Sequence, residues 1–247
     1  LEAFYLQESI PDLIIADFTL PVAGKVAQKM GIPWWTSLPS PCVVETTDGP
    51  PAYCGGLKPA EKWLEKVGQF IARKKVRWFK QCVFWLFRDI IKQTGITHLY
   101  REDGTESAYS PQCILALGYE ELEFDRTWPS SVRFIGPALY TPSNLGFEPT
   151  FEVGRLHILV TLGTHLSWHK EEVANAIFQV SRTLPKIMFH FTDGDHEAET
   201  YCNIGNFMRI PWVNYENYIS RYDLVIHHGG AGIMYYCLEN NIPALVY

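Results

Sequence analysis

The first forty residues alternate between apolar and polar stretches in the order of a strand, a helix and a second strand. The apolar run 11–18 predicts a buried strand with a polar residue near its end. Apolar residues in 20–31 then repeat at helical spacing, and the segment closes on Gly31. The apolar run 32–40 predicts the second strand. A strand, a helix and a strand with short connections predict a βαβ unit, and hence a parallel sheet.

The alternation continues along the rest of the chain. Helical spacing covers 58–95, 170–185 and 213–223, while apolar runs predict strands at 113–124, 130–139, 156–164, 186–191 and 224–230. The segment 141–153 holds prolines and glycines with few strong hydrophobic residues, so it is the predicted linker. We therefore expect an α/β protein with two doubly wound, Rossmann-like domains, at 1–140 and 154–247.

Composition and charge argue against several classes of function and structure. The chain has 47% hydrophobic and 19% charged residues, a net charge of −6 and a pI near 5.8. This balance argues against nucleic-acid binding, which needs a basic face. The apolar run 82–87 is too short to cross a bilayer. Six cysteines without C-x-x-C spacing do not suggest a disulfide scaffold, so a cytoplasmic location is expected.

A glycine-rich turn near the C-terminus is the main candidate site. The strand ending in His227 and His228 runs into Gly-Gly-Ala-Gly and then a predicted helix. Amides at a helix N-terminus attract phosphate, and glycine lets the ligand approach the backbone closely. His228 adds a hydrogen-bond donor for a diphosphate, and Thr164 ends a neighbouring strand. The spacing differs from dinucleotide-binding and P-loop motifs.

The segment 209–247 resembles the nucleotide-sugar signature of family-1 glycosyltransferases, the UDP-glycosyltransferase and macrolide type. In that signature a tryptophan precedes a strand, which is followed by H-G-G-x-G, a helix and a proline. Here Trp212 lies 16 residues before His228, and Pro243 lies 15 residues after it. The upstream segments 11–35 and 130–139 resemble the N-terminal domain of the same family. The resemblance implies the GT-B fold, in which two Rossmann-like domains face a cleft.

The resemblance also implies roles for individual residues. Trp212 would stack on the nucleobase, the Val213 backbone would contact the base edge, and Thr164 would lie near the sugar or phosphate. The diphosphate would be held by His228 and the amides of Gly229, Gly230, Ala231 and Gly232. Asp17 would orient a catalytic histidine that the family carries near the start of its N-terminal domain. Because this sequence has no counterpart of that histidine, we expect a fragment that is inactive alone.

The implied reaction is transfer of a hexose, with inversion, from a UDP- or TDP-linked sugar to a hydroxyl of a lipophilic small molecule. The histidine would deprotonate the acceptor, while the helix N-terminus and His228 would stabilise the leaving diphosphate. No metal or other cofactor is expected. The candidates for the acceptor pocket are Trp35, Thr36, Ser37, Trp78 and Trp85.

Departures from the family pattern leave alternatives open. Ile233 replaces the usual hydroxyl residue after the glycine turn, and Tyr236 replaces the glutamate that grips the ribose. A nucleotide-sugar-binding module without activity is therefore an alternative, and a nucleotide-sugar 2-epimerase is another. For single residues, Trp212 in a core and Asp17 as a helix N-cap are the structural alternatives. The polar segment 190–199 is predicted to be a solvated turn.

The basic and aromatic segment 73–92 allows three interpretations. It is a helix that packs against its own domain, a wall of the acceptor pocket with Trp78 and Trp85, or a surface that contacts a membrane. Arginine, lysine and tryptophan together suit the headgroup region of a bilayer.

Overall fold

Parallel strands form two separate sheets in the computed structural model, which describes residues 10–55, 57–140, 147–164, 167–195 and 197–247. The chain divides into two units, Leu1–Ala138 and Leu139–Tyr247, and each sheet lies within one of them. The predicted linker 141–153 stays a prediction, because 141–146 lie outside the described residues.

The sheet of the first unit has four strands, all parallel, in the order β1–β2–β3–β4. The strands are β1 (Ile14–Asp17), β2 (Trp34–Leu38), β3 (Ile114–Ala116) and β4 (Val132–Phe134). Helix α1 (Pro21–Lys29) connects β1 to β2, which confirms the predicted βαβ unit. Pro21 at the first helical position favours this start, since its missing N–H would have no partner there.

The long connection between β2 and β3 is largely helical, as predicted, with α2 (Trp63–Leu86) and the short α3 (Arg88–Gln93). Helix α2 begins with a capping interaction, in which the Glu65 carboxylate accepts the N–H of Lys62 at 3.2 Å. Phe87 separates the two helices.

Helix α2 turns three of its cationic side chains towards the rest of the first unit. Arg73 donates to the carbonyl of Gly49 at 2.8 Å, and Arg77 donates to that of Gly104 at 3.2 Å. Lys80 forms ion pairs with Glu45 at 2.6 Å and Glu106 at 2.7 Å. Many of the apolar side chains of the helix are exposed to solvent, the reverse of an ordinary amphipathic surface helix. They include Trp63, Leu64, Phe70, Ile71, Trp78, Phe79, Trp85 and Leu86.

The sheet of the second unit has six strands in the order β10–β9–β5–β6–β8–β7. They are β5 (Leu156–Thr161), β6 (Ile187–Thr192), β7 (Cys202–Ile204), β8 (Phe207–Ile210), β9 (Leu224–His227) and β10 (Ala244–Val246). All pairs are parallel except β7 with β8, an antiparallel hairpin that the apolar pattern did not predict. The helices are α4 (Lys170–Ser181), α5 (Tyr215–Tyr218) and α6 (Ala231–Glu239).

Both faces of this second sheet are buried, as in doubly wound proteins. Along β5, Leu159 belongs to the core cluster on one face, while Ile158 and Val160 belong to the cluster on the other. Helix α4 covers the second cluster through Ala174, and α6 covers the first through Ile233. The near-continuous apolar run of β5 follows from this arrangement, because a parallel strand covered on both sides has no polar face.

Candidate functional site

Four loops meet at one edge of the second sheet. Strands β9, β5, β6 and β8 are adjacent and parallel, so their carboxyl ends share this edge. The segments that follow them are 228–230, 162–164, 193–194 and 211–212. Ligands of open α/β sheets bind beyond these strand ends. Trp212 and His228 therefore lie at the same edge, three strand spacings or about 14 Å apart along the sheet.

The turn between β9 and α6 contains backbone N–H groups that have no hydrogen-bond acceptor within the helix. Gly230 is the N-cap of α6, so the N–H groups of Ala231, Gly232 and Ile233 have no acceptor within the helix. Together with the helix dipole, they favour an anion at this end. The amide of Gly229 differs from the prediction, because it donates to Nδ1 of His227 at 3.1 Å.

The imidazole of His228 is held between two glycines. A Cβ atom on Gly163 would lie 2.5 Å from Cε1 of His228, and one on Gly230 would lie 2.7 Å from Nε2. Gly163 also has a φ of +69°, which disfavours any other residue. The loops after β5 and β9 thus fit together around this imidazole. Nδ1 of His228 is buried and lacks a hydrogen-bond partner among the described residues.

The neighbouring His227 is completely buried. Burial, with a smaller contribution from His228, lowers its pKa, so it is neutral at pH 7. Since its Nδ1 accepts the Gly229 N–H, the proton of the neutral ring is on Nε2. His227 stabilises the turn from within the core through this hydrogen bond, whereas His228 contacts the glycine loops.

The loop after β6 belongs to the same edge, and the sequence analysis missed it. A Cβ atom on Gly194 would lie 2.8 Å from the carbonyl oxygen of Gly163, so these two loops are in close contact. The preceding Asp193 is buried and binds the Arg209 guanidinium at 3.0 Å, while Lys170 donates to its carbonyl. The prediction of a solvated turn is wrong for 190–194, because 190–192 belong to the central strand β6 and 193–194 are buried beside it. Thr164, beside Gly163, is exposed.

Trp212 is partly buried and lies next to α5. Its ring stacks on Tyr215 with centroids 6.3 Å apart, and its carbonyl accepts the N–H of Phe147 at 3.0 Å. Tyr215 is itself fixed by its hydroxyl, which lies 3.1 Å from that of Thr161. Val213 is buried and pairs with Phe147 in a short parallel bridge.

The two departures from the family pattern occupy core positions. Ile233 and Tyr236 are both buried in the cluster beneath α6, where Tyr236 packs edge-on against Tyr215 with centroids 5.8 Å apart. Glu239 is exposed at the last residue of the helix. The apolar and aromatic residue types at 233 and 236 therefore suit core packing.

In the first unit, Asp17 ends β1. Its Oδ1 accepts the backbone N–H of Thr19 at 3.0 Å and the Thr19 hydroxyl at 2.5 Å. The N-cap residue of α1 is Leu20, so the alternative role of Asp17 as the N-cap is wrong.

The five acceptor-pocket candidates lie on two elements. Trp35 and Ser37 are half-buried on one face of β2, while Thr36 is buried on the other, where its hydroxyl accepts the N–H of Ser110 at 2.8 Å. Trp78 and Trp85 lie on the outer side of α2, 67% and 66% exposed. The structure thus does not place Thr36 on the same sheet face as its two neighbours, and the acceptor role of the group stays a prediction.

No protein-family model matches this sequence, and no curated protein matches it. Solved structures are similar over 99% of the chain. They include the glycotransferase of kitacinnamycin (21% identity, TM-score 0.66, 59% of that chain covered) and the glycosyltransferase SnogD from Streptomyces nogalater (18%, 0.59, 57%). The spinosyn rhamnosyltransferase SpnG is similar in its complexes with thymidine diphosphate and with spinosyn aglycone (17% for both, 0.53 and 0.54, 56%).

The chain thus spans less than three fifths of the length of these structures. At such identities the similarity concerns the fold. With its two sheets of mainly parallel strands, the chain has the α/β architecture of the GT-B fold that these glycosyltransferases share.

Proposed function

We propose that this protein transfers a sugar from a nucleoside diphosphate sugar to a hydroxyl of a lipophilic small molecule, with inversion at the anomeric carbon. One observation carries the proposal: the His228 imidazole lies between Gly163 and Gly230, next to the N–H groups at the start of α6 that have no acceptor within the helix. A buried imidazole nitrogen without a partner and a helix N-terminus together favour a diphosphate.

The other end of the donor would lie at Trp212, at the same sheet edge. Its indole offers a surface for a nucleobase, and its contact with Tyr215 holds it in place. The thymidine diphosphate complex of SpnG supports a TDP- or UDP-linked donor, and its aglycone complex supports a lipophilic acceptor. In this proposal the diphosphate leaves towards the α6 amides and His228, which stabilise its growing charge without a metal ion.

The general base is the remaining part of the mechanism. The family resemblance assigns it to a histidine outside the segments matched here, and Asp17 would orient that histidine through a carboxylate hydrogen bond. The single displacement then needs only two groups, a base on the acceptor hydroxyl and donors on the leaving diphosphate. Retained activity in an Asp17→Asn variant of an active form of the protein would remove Asp17 from this role.

Calorimetric titration with UDP, TDP and GDP, and then with their sugars, tests the donor site directly. We expect one pyrimidine diphosphate to bind clearly more tightly than its nucleoside, because the diphosphate adds contacts to α6 and His228. Equal affinities of nucleoside and nucleoside diphosphate would contradict the proposal.

A binding module without transfer activity is the second candidate. The burial of Tyr236 in the core favours it, since a core tyrosine does not replace a ribose-gripping carboxylate. Donor binding without sugar transfer to any acceptor, in a protein that carries the general base, would support this candidate. A 2-epimerase would instead release an epimerised sugar with no acceptor present.

The outer side of α2 supports contact with an anionic membrane surface. Leu64, Ile71, Trp78 and Trp85 follow one another at intervals of seven residues and are all exposed. Glu65 is the single acidic residue of this helix and caps its N-terminus, whereas Lys74 and Lys75 are exposed beside the apolar side chains. Tryptophan and lysine on one helix side suit the interface between headgroups and acyl chains. Because Arg73, Arg77 and Lys80 point inward, the attraction would come from the two lysines.

Among the described residues, we find no helix with the length and hydrophobicity of a membrane span. We propose that the membrane contact is peripheral and that the donor chemistry takes place in the cytoplasm.

A further inference from the structure

The first unit contains a cavity of about 450 Å³ beneath α2. Its walls are the loop after β2, the inner side of α2, the turn at 103–105 and the segment 127–131. A volume of this size accommodates a small organic molecule. None of the five acceptor-pocket candidates from the sequence lines it.

Part of the cavity wall lies at the amino ends of strands. Pro111 and the segment 127–131 directly precede β3 and β4, whose parallel partners β1 and β2 run in the same direction. Asp17 lies at the opposite, carboxyl edge of this sheet. The lining contains neither Asp17 nor a residue of strands β1 to β4.

Hydrogen bonds between the walls hold the cavity in shape. Arg73 joins α2 to the loop after β2 through the carbonyl of Gly49, and Arg77 joins it to the turn through that of Gly104. On the far side, the Asp48 carboxylate accepts both the N–H and the hydroxyl of Thr127, at 3.0 and 2.5 Å. A cavity fixed on each side in this way is pre-organised for a ligand, which lowers the entropy cost of binding.

The acidic groups of the lining already have partners. Glu45 binds Lys80 at 2.6 Å, Arg77 at 3.4 Å and the Tyr100 hydroxyl at 2.9 Å. Asp103 accepts the N–H and the hydroxyl of Thr105, and these hydrogen bonds lower the pKa of Asp103. Both carboxylates are therefore engaged by partners within the protein.

Two cations of the lining are not engaged by carboxylates. Arg73 uses one N–H on a neutral carbonyl, and Lys74 lies over the ring of Phe70 at 5.5 Å. Neither forms an ion pair with a residue in the described parts of the chain. The uncompensated charge of the cavity is thus positive. A half-buried guanidinium with N–H groups that bind no described residue suits a carboxylate, sulfonate or phosphate.

The rest of the lining would contact the apolar part of a ligand. Phe70, Val76, Pro51, Ala52, Trp128 and Pro129 supply apolar surface. Thr46, Ser130 and Ser131 add hydroxyl groups to the lining.

We propose that this cavity is a second small-molecule site, which binds an organic anion with a ring-sized apolar body and its anionic group at Arg73 and Lys74. The site requires neither the nucleotide site of the second unit nor the transfer reaction. Arg73 points into the first unit with no carboxylate partner among the described residues, although an arginine on a surface helix ordinarily extends into water.

A matched pair of probes tests the proposal on the purified chain. 2-Naphthalenesulfonate carries the anionic group, and 2-naphthalenemethanol is a neutral compound of similar shape. Calorimetric titration should show the sulfonate binding at least about tenfold more tightly, because a charge-assisted hydrogen bond is lost with the alcohol. Equal affinity of the two probes, or no binding of the sulfonate at millimolar concentration, would overturn the proposal.

Two neighbouring lysines provide the matched variants. Both lysines are exposed, but only Lys74 also lines the cavity. Lys74→Gln should weaken sulfonate binding about three- to tenfold, and Lys75→Gln should change it less than about twofold. Arg73→Gln should have the largest effect, and Lys74→Gln keeps the test valid if that variant unfolds. Equal effects at 74 and 75 would assign the binding to the outer side of α2 and overturn the proposal. TDP affinity should stay unchanged in all three variants.

Discussion

The His228 imidazole and the backbone of Gly163 are in direct contact across two loops, so that a Cβ atom at position 163 would lie 2.5 Å from Cε1 of His228. This contact joins the end of β5 to the end of β9. Whatever His228 binds is therefore positioned by a residue 65 positions earlier in the chain.

Replacing Gly163 by alanine should displace His228. The variant combines a backbone at φ +69° with a steric clash, so we expect it to lose about 2–4 kcal/mol of unfolding free energy and most of its affinity for TDP. Denaturant unfolding and calorimetry measure the two effects. Gly205→Ala is the matched control, because Gly205 has a φ of +65° with open space around it. It should cost about 1 kcal/mol and leave TDP binding intact. Similar TDP affinities in the two variants would argue against the contact.

Replacing His228 by asparagine should weaken the diphosphate contact specifically. We expect a loss of about 1–3 kcal/mol in the binding of TDP, the range for a hydrogen bond to a charged group, and no change for thymidine. Calorimetry with both ligands on one preparation gives the difference. An equal loss for nucleoside and diphosphate would mean that His228 supports the fold of the site and does not contact phosphate.

Replacing Trp212 by alanine should weaken thymidine and TDP alike. Loss of base stacking costs roughly 1–3 kcal/mol, and it does not depend on the phosphates. Trp168→Ala is a suitable control, because Trp168 is 70% exposed in the same unit. If both variants bind TDP as the unmodified chain does, Trp212 is a packing residue next to Tyr215.

The sequence predicted the parts of the site that depend on local pattern. Glycines after a strand and a tryptophan at fixed spacing indicated the loops after β9 and β8, and the parallel sheet brings those loops to one edge. The loop after β6 was missed because its burial depends on residues far along the chain. Asp193 looks solvated in sequence, but Arg209 and Lys170 lie 16 and 23 positions away and bury it.

The orientation of α2 was unpredictable for the same reason. Its sequence shows that basic and aromatic residues alternate around the helix, but it does not show which side meets the domain. The partners that turn Arg73, Arg77 and Lys80 inward come from separate loops, at Glu45, Gly49, Gly104 and Glu106. Without those partners, the apolar side chains would be expected to face inward.

Acid should destabilise the second unit through His190. This residue is completely buried, and burial lowers its pKa from 6.5 to about 4, with a smaller repulsive contribution from His157. In the unfolded chain His190 is therefore protonated below pH 6.5, whereas in the folded chain it stays neutral down to about pH 4. The contribution of neutral His190 to the unfolding free energy is fully present above pH 6.5 and is lost as the pH falls from 6.5 towards 4. The unfolding free energy should therefore fall by about 2 kcal/mol between pH 7.5 and 5.

Denaturant unfolding at the two pH values measures this loss. His190→Gln removes the titrating group, so its unfolding free energy should fall less with acid than that of the unmodified chain, whatever its stability at pH 7.5. His169→Gln changes an exposed histidine and should keep the full pH dependence. The same slope in all three proteins would show that His190 does not control acid stability.

Charge reversal at Lys74 and Lys75 should release the protein from anionic vesicles. A lysine near such a surface contributes about 1 kcal/mol, so Lys74→Glu with Lys75→Glu should lower the partition coefficient at least about 30-fold at low salt. Flotation with vesicles of mixed phosphatidylcholine and phosphatidylserine measures it, and purely zwitterionic vesicles should bind the protein weakly. Lys186→Glu, an exposed lysine in the second unit, should have little effect. Two outcomes would contradict the membrane contact: equal flotation of the double variant and the unmodified chain, or self-association of the unmodified chain through α2 without binding to vesicles. In either case the outer side of α2 would contact protein rather than lipid.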